Sequence, residues 1–159
     1  MSAKRRVVVD TREQLPYTDW QDREPVSAKL DQGDYALEGL DGLLVVERKS
    51  LDDFVGCCGR ERDRFERELE RLREIVRWPF VVIEATPQDV AKHNYHGFME
   101  PAAVVASPLA WALDYDVHFI WGGDRAHANA IVRRLFNVLE ERVKRMRPKV
   151  RARKVKEGA

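Results

Sequence analysis

The chain has 159 residues, of which 44% are hydrophobic and 35% charged, and its mean hydropathy is −0.50. This size and composition predict one globular domain with a single core, and they exclude collagen-like and intrinsically disordered chains. The net charge of +1 conceals a separation, because residues 142–159 carry nine basic side chains and one acid, which leaves 19 basic and 26 acidic side chains for residues 1–141.

No segment is predicted to enter or cross a membrane. The sequence nowhere has the roughly 18 successive uncharged apolar residues that a spanning helix needs, and its basic opening runs directly into an apolar strand pattern. The only cysteines, Cys57 and Cys58, are neighbours, and adjacent cysteines rarely reach disulfide geometry. We therefore expect a cytoplasmic protein that does not associate with membranes.

The N-terminal half predicts three strands followed by a helical region. The β-branched run at residues 7–9 predicts a buried first strand that ends in a polar loop. Residues 26–38 and 43–46 flank a turn-like segment and predict a hairpin of the second and third strands. Across residues 51–77 apolar side chains recur at spacings of three and four, which predicts a helix with an interruption at residues 57–59.

The C-terminal half predicts helices alternating with strands. Residues 80–83 are a continuous apolar run, as in a central strand that is covered on both faces. A short helix is expected from Thr86, and a second begins where Pro108 stands in its first turn. A strand at residues 117–121 and a final helix that ends before Pro148 complete the pattern.

This order of elements favours an α/β fold in one domain, with a mixed central sheet flanked by helices on both faces. We expect the domain to occupy residues 1–147 and the basic residues 148–159 to form a flexible tail. Because a screened field acts over about 10 Å, the tail could bind a polyanion while the acidic body performs carboxylate chemistry.

Four acids stand at the ends of predicted strands, namely Asp10, Asp34, Glu47 and Glu84. The alternation of side chains along a strand places Glu47 and Lys49 on one face and Arg48 on the other. Carboxylates on neighbouring strands can hold a hard divalent cation, and a lysine beside them can orient water or offset phosphate charge. The pattern therefore predicts phosphodiester hydrolysis, with Glu84 interpreted as an ordinary strand-end carboxylate.

The same residues resemble the nuclease domain of the XPF family, also found in the archaeal Hef nucleases. The hallmark Glu-Arg-Lys-x-x-x-Asp is matched by Glu47-Arg48-Lys49-Ser50-Leu51-Asp52-Asp53. Three further family motifs occur in the correct order, as Asp10-Thr11-Arg12-Glu13, Gly33-Asp34-Tyr35 and Arg64-Phe65-Glu66-Arg67-Glu68-Leu69. The resemblance covers roughly residues 7–140 and implies a restriction-endonuclease-like fold of the PD-(D/E)XK superfamily.

The resemblance implies a metal-dependent endonuclease that acts on branched or flapped DNA in repair or recombination. It implies Asp34 and Glu47 as ligands of Mg²⁺ or Mn²⁺, with Lys49 as the catalytic lysine. Further active-site or supporting roles fall to Arg48, Asp10 and Asp53. Candidates for contact with DNA are Arg12, Arg62 and Arg64 in the domain and Lys149, Arg151, Arg153 and Lys154 in the tail.

The resemblance also raises expectations about partners. Members of the family commonly carry a C-terminal tandem helix-hairpin-helix module, whereas here only the basic segment follows the domain. We therefore expect the tail to neutralise phosphates and a partner protein to load the domain onto DNA. A homodimer that uses the last helix and the helix around Trp111 is also expected, in a protein of bacterial, archaeal or viral origin that works beside the nucleoid.

Several alternatives remain open at this point. The chain could be a non-catalytic DNA-binding or dimer-partner subunit, although the acids and the lysine are intact. Trp20 is placed in an open loop, where it could stack on bases, and His93 with His96 is interpreted as loop surface rather than as a metal pair. The charged run over residues 60–77 is interpreted as a solvated helix with i,i+4 pairs, apart from the two arginines named above.

Overall fold

The computed structural model describes the backbone of residues 3–157 and the side chains of residues 3–146. Its strands are β1 (Val7–Asp10), β2 (Pro25–Ala28), β3 (Tyr35–Leu37), β4 (Leu44–Ser50), β5 (Trp78–Glu84) and β6 (His118–Trp121). Its helices are α1 (Leu51–Cys58), α2 (Arg62–Ile75), α3 (Pro87–Ala91), α4 (Pro101–Tyr115) and α5 (Arg125–Glu157).

One mixed sheet in the order β2-β1-β3-β4-β5-β6 forms the centre of the fold. β3 runs antiparallel to β1 and to β4, whereas the other neighbouring pairs are parallel. One face packs against α1, α2 and α4 through Phe54, Leu69 and Trp111, and the other against α5 through Val132 and Phe136. The predicted α/β architecture, with helices on both faces, is confirmed.

The predicted hairpin is present as β3 and β4, but Pro25–Ala28 forms a separate edge strand. β2 pairs with β1 only, at one margin of the sheet. Its side chains are exposed or half-buried, so no apolar alternation marks it in the sequence. An edge is also where a strand tolerates the missing N–H of a proline.

The predicted interruption of the first helical region is confirmed, because α1 ends at Cys58 and α2 begins at Arg62. The hydroxyl of Ser50 accepts a hydrogen bond from the backbone N–H of Asp53 at 3.2 Å and caps α1. At Gly59, between the two helices, a Cβ would lie 3.1 Å from the sulfur of Met99. A larger residue would therefore push against the segment that leads into α4.

Two helix boundaries differ from the expectation. α4 begins at Pro101 and carries Pro108 in its interior, where Pro108 is buried against the core. Pro101 occupies the first turn, where proline is tolerated, and residues 102–107 contain no glycine or proline that would interrupt the helix before Pro108. α5 continues through Pro148 to Glu157, beyond the predicted end, and the side chains of the predicted tail lie outside the described residues.

Trp20 is buried, which corrects its placement in an open loop. The indole Nε1–H donates to the carbonyl of Tyr17 at 2.9 Å, and the ring packs against Tyr35 and Phe136. The loop after β1 therefore folds over α5 and completes the apolar packing on that face of the sheet. Among the described residues, no helix is both long and apolar enough to span a membrane.

Candidate active site

A polar cleft of about 220 Å³ opens between the β1 and β3–β4 strand ends and α2. Side chains from four parts of the chain line it: Asp10, Arg12, Asp31, Gln32, Gly33, Asp34, Glu47, Glu68 and Arg71. Charged and amide groups dominate the lining, and such a cleft suits an ionic ligand rather than an apolar one.

The backbone of β4 holds Asp34 at the cleft. The N–H of Asp34 donates to the carbonyl of Val46 at 2.8 Å, and the N–H of Arg48 donates to Asp34 Oδ2 at 2.7 Å. Gly33 has φ +85°, and a Cβ at this position would lie 3.0 Å from the Val45 side chain. A glycine before Asp34 therefore allows this close approach to β4.

Glu47 and Lys49 share one face of β4, as their alternation along the strand predicted. Lys49 Nζ lies 3.6 Å from Glu47 Oε1 and 5.3 Å from the centre of the Phe65 ring. Each of the two charged side chains is only 19% exposed. The structure thus brings Asp34, Glu47 and Lys49 together beneath α2, where each has limited freedom to move.

The carboxylates of Asp34 and Glu47 form an under-neutralised pair. Burial raises the pKa of Asp34 and of Glu47, and for Glu47 the charge on Asp34 raises it further. Burial opposes the charge of Lys49, but neighbouring carboxylates, with Glu47 foremost, outweigh it and raise the pKa of the ammonium. The single positive charge of Lys49 therefore cannot neutralise both the Asp34 and the Glu47 carboxylates.

This donor set fits a hard divalent cation. Asp34 and Glu47 offer carboxylate oxygens, and a cation between them would offset the burial of their charges and the repulsion that Asp34 exerts on Glu47. Within the described part of the chain, no group of three or more His, Cys, Asp or Glu side chains forms a closed metal cluster. Mg²⁺ retains several waters and needs only one or two protein carboxylates, so this set is sufficient.

Arg48 lies on the opposite face of β4 from Glu47 and Lys49. Its guanidinium donates to both oxygens of Glu13, at 2.9 and 3.0 Å, and to Glu84 Oε1 at 2.5 Å. Burial opposes the charge of Glu13, but the bonds from Arg48 outweigh it and hold the pKa of Glu13 below its usual range. Arg48 therefore reaches the cleft only through its backbone N–H, which binds Asp34.

Asp10 lines the cleft, but other groups already occupy its oxygens. It accepts hydrogen bonds from the backbone N–H of Leu30 at 2.8 Å, and from the backbone and the Nε of Arg12 at 3.1 and 2.8 Å. Burial opposes its charge, yet these bonds outweigh it and lower the pKa of Asp10. Asp10 therefore holds two loops together, while the Arg12 side chain remains 63% exposed at the cleft.

The remaining predicted residues do not line the cleft. Asp53 is exposed in the first turn of α1. Arg62 joins α2 to α4, because it donates to Ser107 Oγ at 2.9 Å and lies 4.7 Å above the Trp111 ring. Arg64 is exposed and pairs with Glu61 at 3.3 Å. The predicted DNA contacts in the tail, Lys149, Arg151, Arg153 and Lys154, have side chains outside the described residues.

Sequence reasoning missed Glu68 and Arg71, which reach the cleft from α2. Their spacing of three puts both on one side of a helix, adjacent to the face that buries Phe65, Leu69 and Leu72. That signal was present in the sequence. It became specific only when the fold placed this side of α2 over β4.

Comparisons with known proteins bear on the family and on the fold. The model of the ERCC4 domain family matches residues 9–135. The structure of XPF from Aeropyrum pernix is similar, with TM-score 0.69 and 24% identity over 84% of this chain and 60% of that chain. XPF from Aeropyrum pernix in complex with DNA gives TM-score 0.62 and 21% identity over 87% of this chain and 66% of that chain.

The two structural likenesses establish the fold. The chain spans about 60% of the length of the first of these structures. No curated protein matches the chain.

Proposed function

The chain belongs to the ERCC4 domain family, as its resemblance to the XPF nuclease domain implied, and from this premise we propose that it is a metal-dependent endonuclease that cleaves branched or flapped DNA. The observation that carries the proposal is the convergence of Asp34 and Glu47 in one polar cleft, with Lys49 Nζ 3.6 Å from Glu47 Oε1. In metal-assisted phosphodiester hydrolysis, carboxylates hold the cation, and a lysine beside them can orient water or offset phosphate charge.

Each residue has a role that follows from its contacts. Asp34 and Glu47 would hold Mg²⁺ or Mn²⁺, which when bound supplies Lewis-acid stabilisation of charge on the phosphate. Lys49, 3.6 Å from Glu47, is placed to hydrogen-bond a water or a phosphate oxygen in the cleft. Arg48 positions Asp34 through its backbone N–H, and Arg12 at the cleft margin would contact a phosphate.

The proposal of DNA as substrate has two supports. One of the similar structures is XPF from Aeropyrum pernix in complex with DNA, and nine basic side chains stand in residues 142–159. Such a segment would strengthen binding by neutralising phosphates without selecting a sequence. Selection of a branch point would then depend on a loading partner or on a second copy of the domain.

The test is cleavage of end-labelled duplex, 3′ flap, splayed fork, four-way junction and single strand, with Mg²⁺, Mn²⁺ or EDTA. We expect metal-dependent cutting of a branched form, reduced at least about 100-fold in Glu47→Gln because the loss of a metal ligand removes several kcal/mol of charge stabilisation. Glu70→Gln, an exposed acid elsewhere on α2, is the matched control and should cut normally.

The outcomes separate two classes of protein. Cutting that persists in Glu47→Gln would refute the site assignment. Binding of branched DNA without cutting, with every metal tested, would instead favour a non-catalytic DNA-binding or dimer-partner subunit. That result would also overturn the proposal of an enzyme.

For self-association, the proposal is a homodimer through the β6 edge of the sheet. β6 is the last strand in the sheet, and the helices beside it expose Leu109, Leu113 and Val138, at 66%, 88% and 55%. An edge strand with one free side, flanked by exposed apolar side chains, is a common protein interface. Sedimentation of wild type and Leu113→Glu should show a dimer that the substitution weakens, and a wild-type monomer at all concentrations would contradict it.

A further inference from the structure

Helix α2 separates its positive and negative charges onto different sides. Successive residues of a helix are about 100° apart around its axis, so Arg64, Arg67 and Arg71 fall within an arc of about 60°. The acids of the helix other than Glu68 fall within a second arc of about 80°, and these are Asp63, Glu66, Glu70 and Glu74. The helix is solvated and contains an i,i+4 pair, Arg62 with Glu66 at 3.1 Å, but the expectation of interleaved charges did not include this separation into two arcs.

The arginine side of α2 leads into the cleft. Arg71 lines the cleft together with Glu68, and Arg67 and Arg64 follow at one and two turns toward the start of the helix. All three arginines are exposed. Their opposite face buries Phe65, Leu69 and Leu72, so the helix cannot turn these arginines away without losing its core contacts.

The structure uses the other arginines of α2 internally. Arg62 pairs with Glu66 at 3.1 Å and with α4, and Arg73 pairs with Asp116 at 3.3 Å. Arg64 has only an exposed pair with Glu61, which contributes little to stability. Within residues 3–146, Arg67 and Arg71 form no ion pair within 4.0 Å, so their charge is available to an external anion.

We infer that Arg64, Arg67 and Arg71 form a phosphate track, along which the backbone of one DNA strand runs into the cleft. This inference rests on the proposed function and adds where the strand lies. Seven residues of helix rise about 10 Å, which is the axial rise of about three nucleotides at 3.4 Å each. Three successive phosphates beside the scissile bond span two such steps, about 7 Å, and therefore fall within the length that the three guanidiniums cover.

The surrounding charges define one side of the track. Glu68 lies between the arginines and the buried face of α2; it lines the cleft with Glu47, and its charge also acts on Lys49. The acidic arc lies on the other side of the arginines and repels a strand that would cross α2 in that direction. The potential across the helix thus favours a strand that follows the arginines, and a bound cation would have to offset the acids that line the cleft before a phosphate enters it.

The test measures binding of a fluorescent 3′ flap by wild type in EDTA, between 50 and 200 mM salt, so that no cutting occurs. The binding constant falls as a power of the salt concentration, and we call that power the salt exponent. It is about 0.9 per phosphate contact, so each contact accounts for about a 3-fold loss of affinity over this range. Arg67→Gln should therefore lower the exponent by about one, and the triple variant with Arg64→Gln and Arg71→Gln by about three.

The matched control is Arg73→Gln, which removes the same charge from the other side of α2. An exponent that falls equally in Arg67→Gln and Arg73→Gln would overturn the track, because it would indicate a response to net charge alone. Arginine and glutamine are both good helix formers, and circular dichroism should show the same helix content in each variant.

The position of the strand is tested with neutral phosphates. A methylphosphonate placed in turn at each of the three phosphates beside the cleavage position should abolish the effect of one arginine substitution at a time. Additive effects at every position would refute the track, since independent sites do not couple.

These outcomes differ from failure of the proposed function. If the wild type cuts DNA but no arginine of the set alters the salt exponent, the nuclease remains and the track is lost. If the wild type binds with the expected exponents but never cuts, the track stands on a non-catalytic DNA-binding protein.

Discussion

The two faces of β4 carry charge clusters that are organised in opposite ways. On one face, Glu47 and Lys49 join Asp34, and the carboxylates outnumber the single lysine. On the other, Arg48 binds Glu13 and Glu84, and Arg125 approaches Glu84 at 3.7 Å. The second cluster contains two acids and two arginines, so its formal charge is balanced.

The pKa directions record this difference. Burial raises the pKa values of Asp34 and Glu47, and the charge on Asp34 raises that of Glu47 further, whereas Arg48 lowers the pKa of Glu13 against the effect of burial. A cluster neutralised internally stabilises the fold, and one left short of positive charge can bind a cation. Adjacent residues of a single strand therefore differ in role: Arg48 supports the fold, whereas Glu47 and Lys49 belong to the proposed site.

The largest expected loss of stability follows from Arg48→Met. It would leave the Glu13 and Glu84 carboxylates without their main partner, and removal of one member of a buried ion pair typically costs about 3–5 kcal/mol. Urea unfolding should show a loss of this size. Glu47→Gln on the opposite face should leave the free energy of unfolding unchanged or higher, and equal losses in both variants would contradict the division.

The next largest effect expected is the stabilisation of the folded protein by a bound metal ion. Mg²⁺ at 100 times its dissociation constant should stabilise the folded protein by about 2.7 kcal/mol, because it binds the folded state alone. Thermal unfolding with and without Mg²⁺ measures this effect. The stabilisation should vanish in Glu47→Gln and persist in Glu70→Gln, and a gain that is equal in both would place the cation elsewhere.

The dependence of stability on pH should have opposite signs on the two faces. Asp34 and Glu47 have raised pKa values, so the metal-free native state holds extra protons above the ordinary carboxyl range. The free energy of unfolding should therefore fall as pH rises through their folded pKa values, by up to about 1.4 kcal/mol per pH unit and group. Glu13 has a lowered pKa, and its contribution should be lost as pH falls through that value.

Urea midpoints measured from acidic to alkaline pH test these signs. Glu47→Gln should flatten the decline on the alkaline side and leave the acidic side as in wild type. A variant that steepens the decline would contradict the sign assigned to Glu47. Affinity for Mg²⁺ should rise with pH over the same interval, because protons compete with the cation for the carboxylates.

The smallest expected effect concerns Arg62, which the resemblance proposed as a DNA contact. Because it bonds Ser107 and stacks on Trp111, Arg62→Gln should destabilise the protein by about 1 kcal/mol. Its salt exponent for DNA should match that of wild type. Arg67→Gln should show the reverse, with normal stability and a smaller exponent, and a reduced exponent in Arg62→Gln would restore it as a contact.

The most accurate prediction from the sequence was which side chains of β4 share a face, because alternation along a strand determines it. The separation of Arg48 from Glu47 and Lys49 follows from the period of two, and Gly33-Asp34 was placed beside β4 by the hairpin. What it could not supply was the partner of each side chain. Arg62 and Arg71 stand on the same helix, and only the packing of α2 between α4 and β4 makes one structural and the other part of the cleft.

The elements that were missed share a physical cause. β2 is exposed and short, and Trp20 is covered by residues distant in sequence, so neither leaves a local signal. The start of α4 is the exception, because Pro101 in its first turn did leave a local signal, whereas Pro108 lies in the helix interior and is buried.

The division of β4 also bears on how such a domain can change over time. Replacement of Glu47 would remove repulsion and leave the fold intact, so selection for folding alone would not retain it. Replacement of Arg48 would be eliminated even where cutting had ceased to matter. A duplicated copy could therefore lose its chemistry by drift and survive as a scaffold, and Arg48 would outlast the acids beside it.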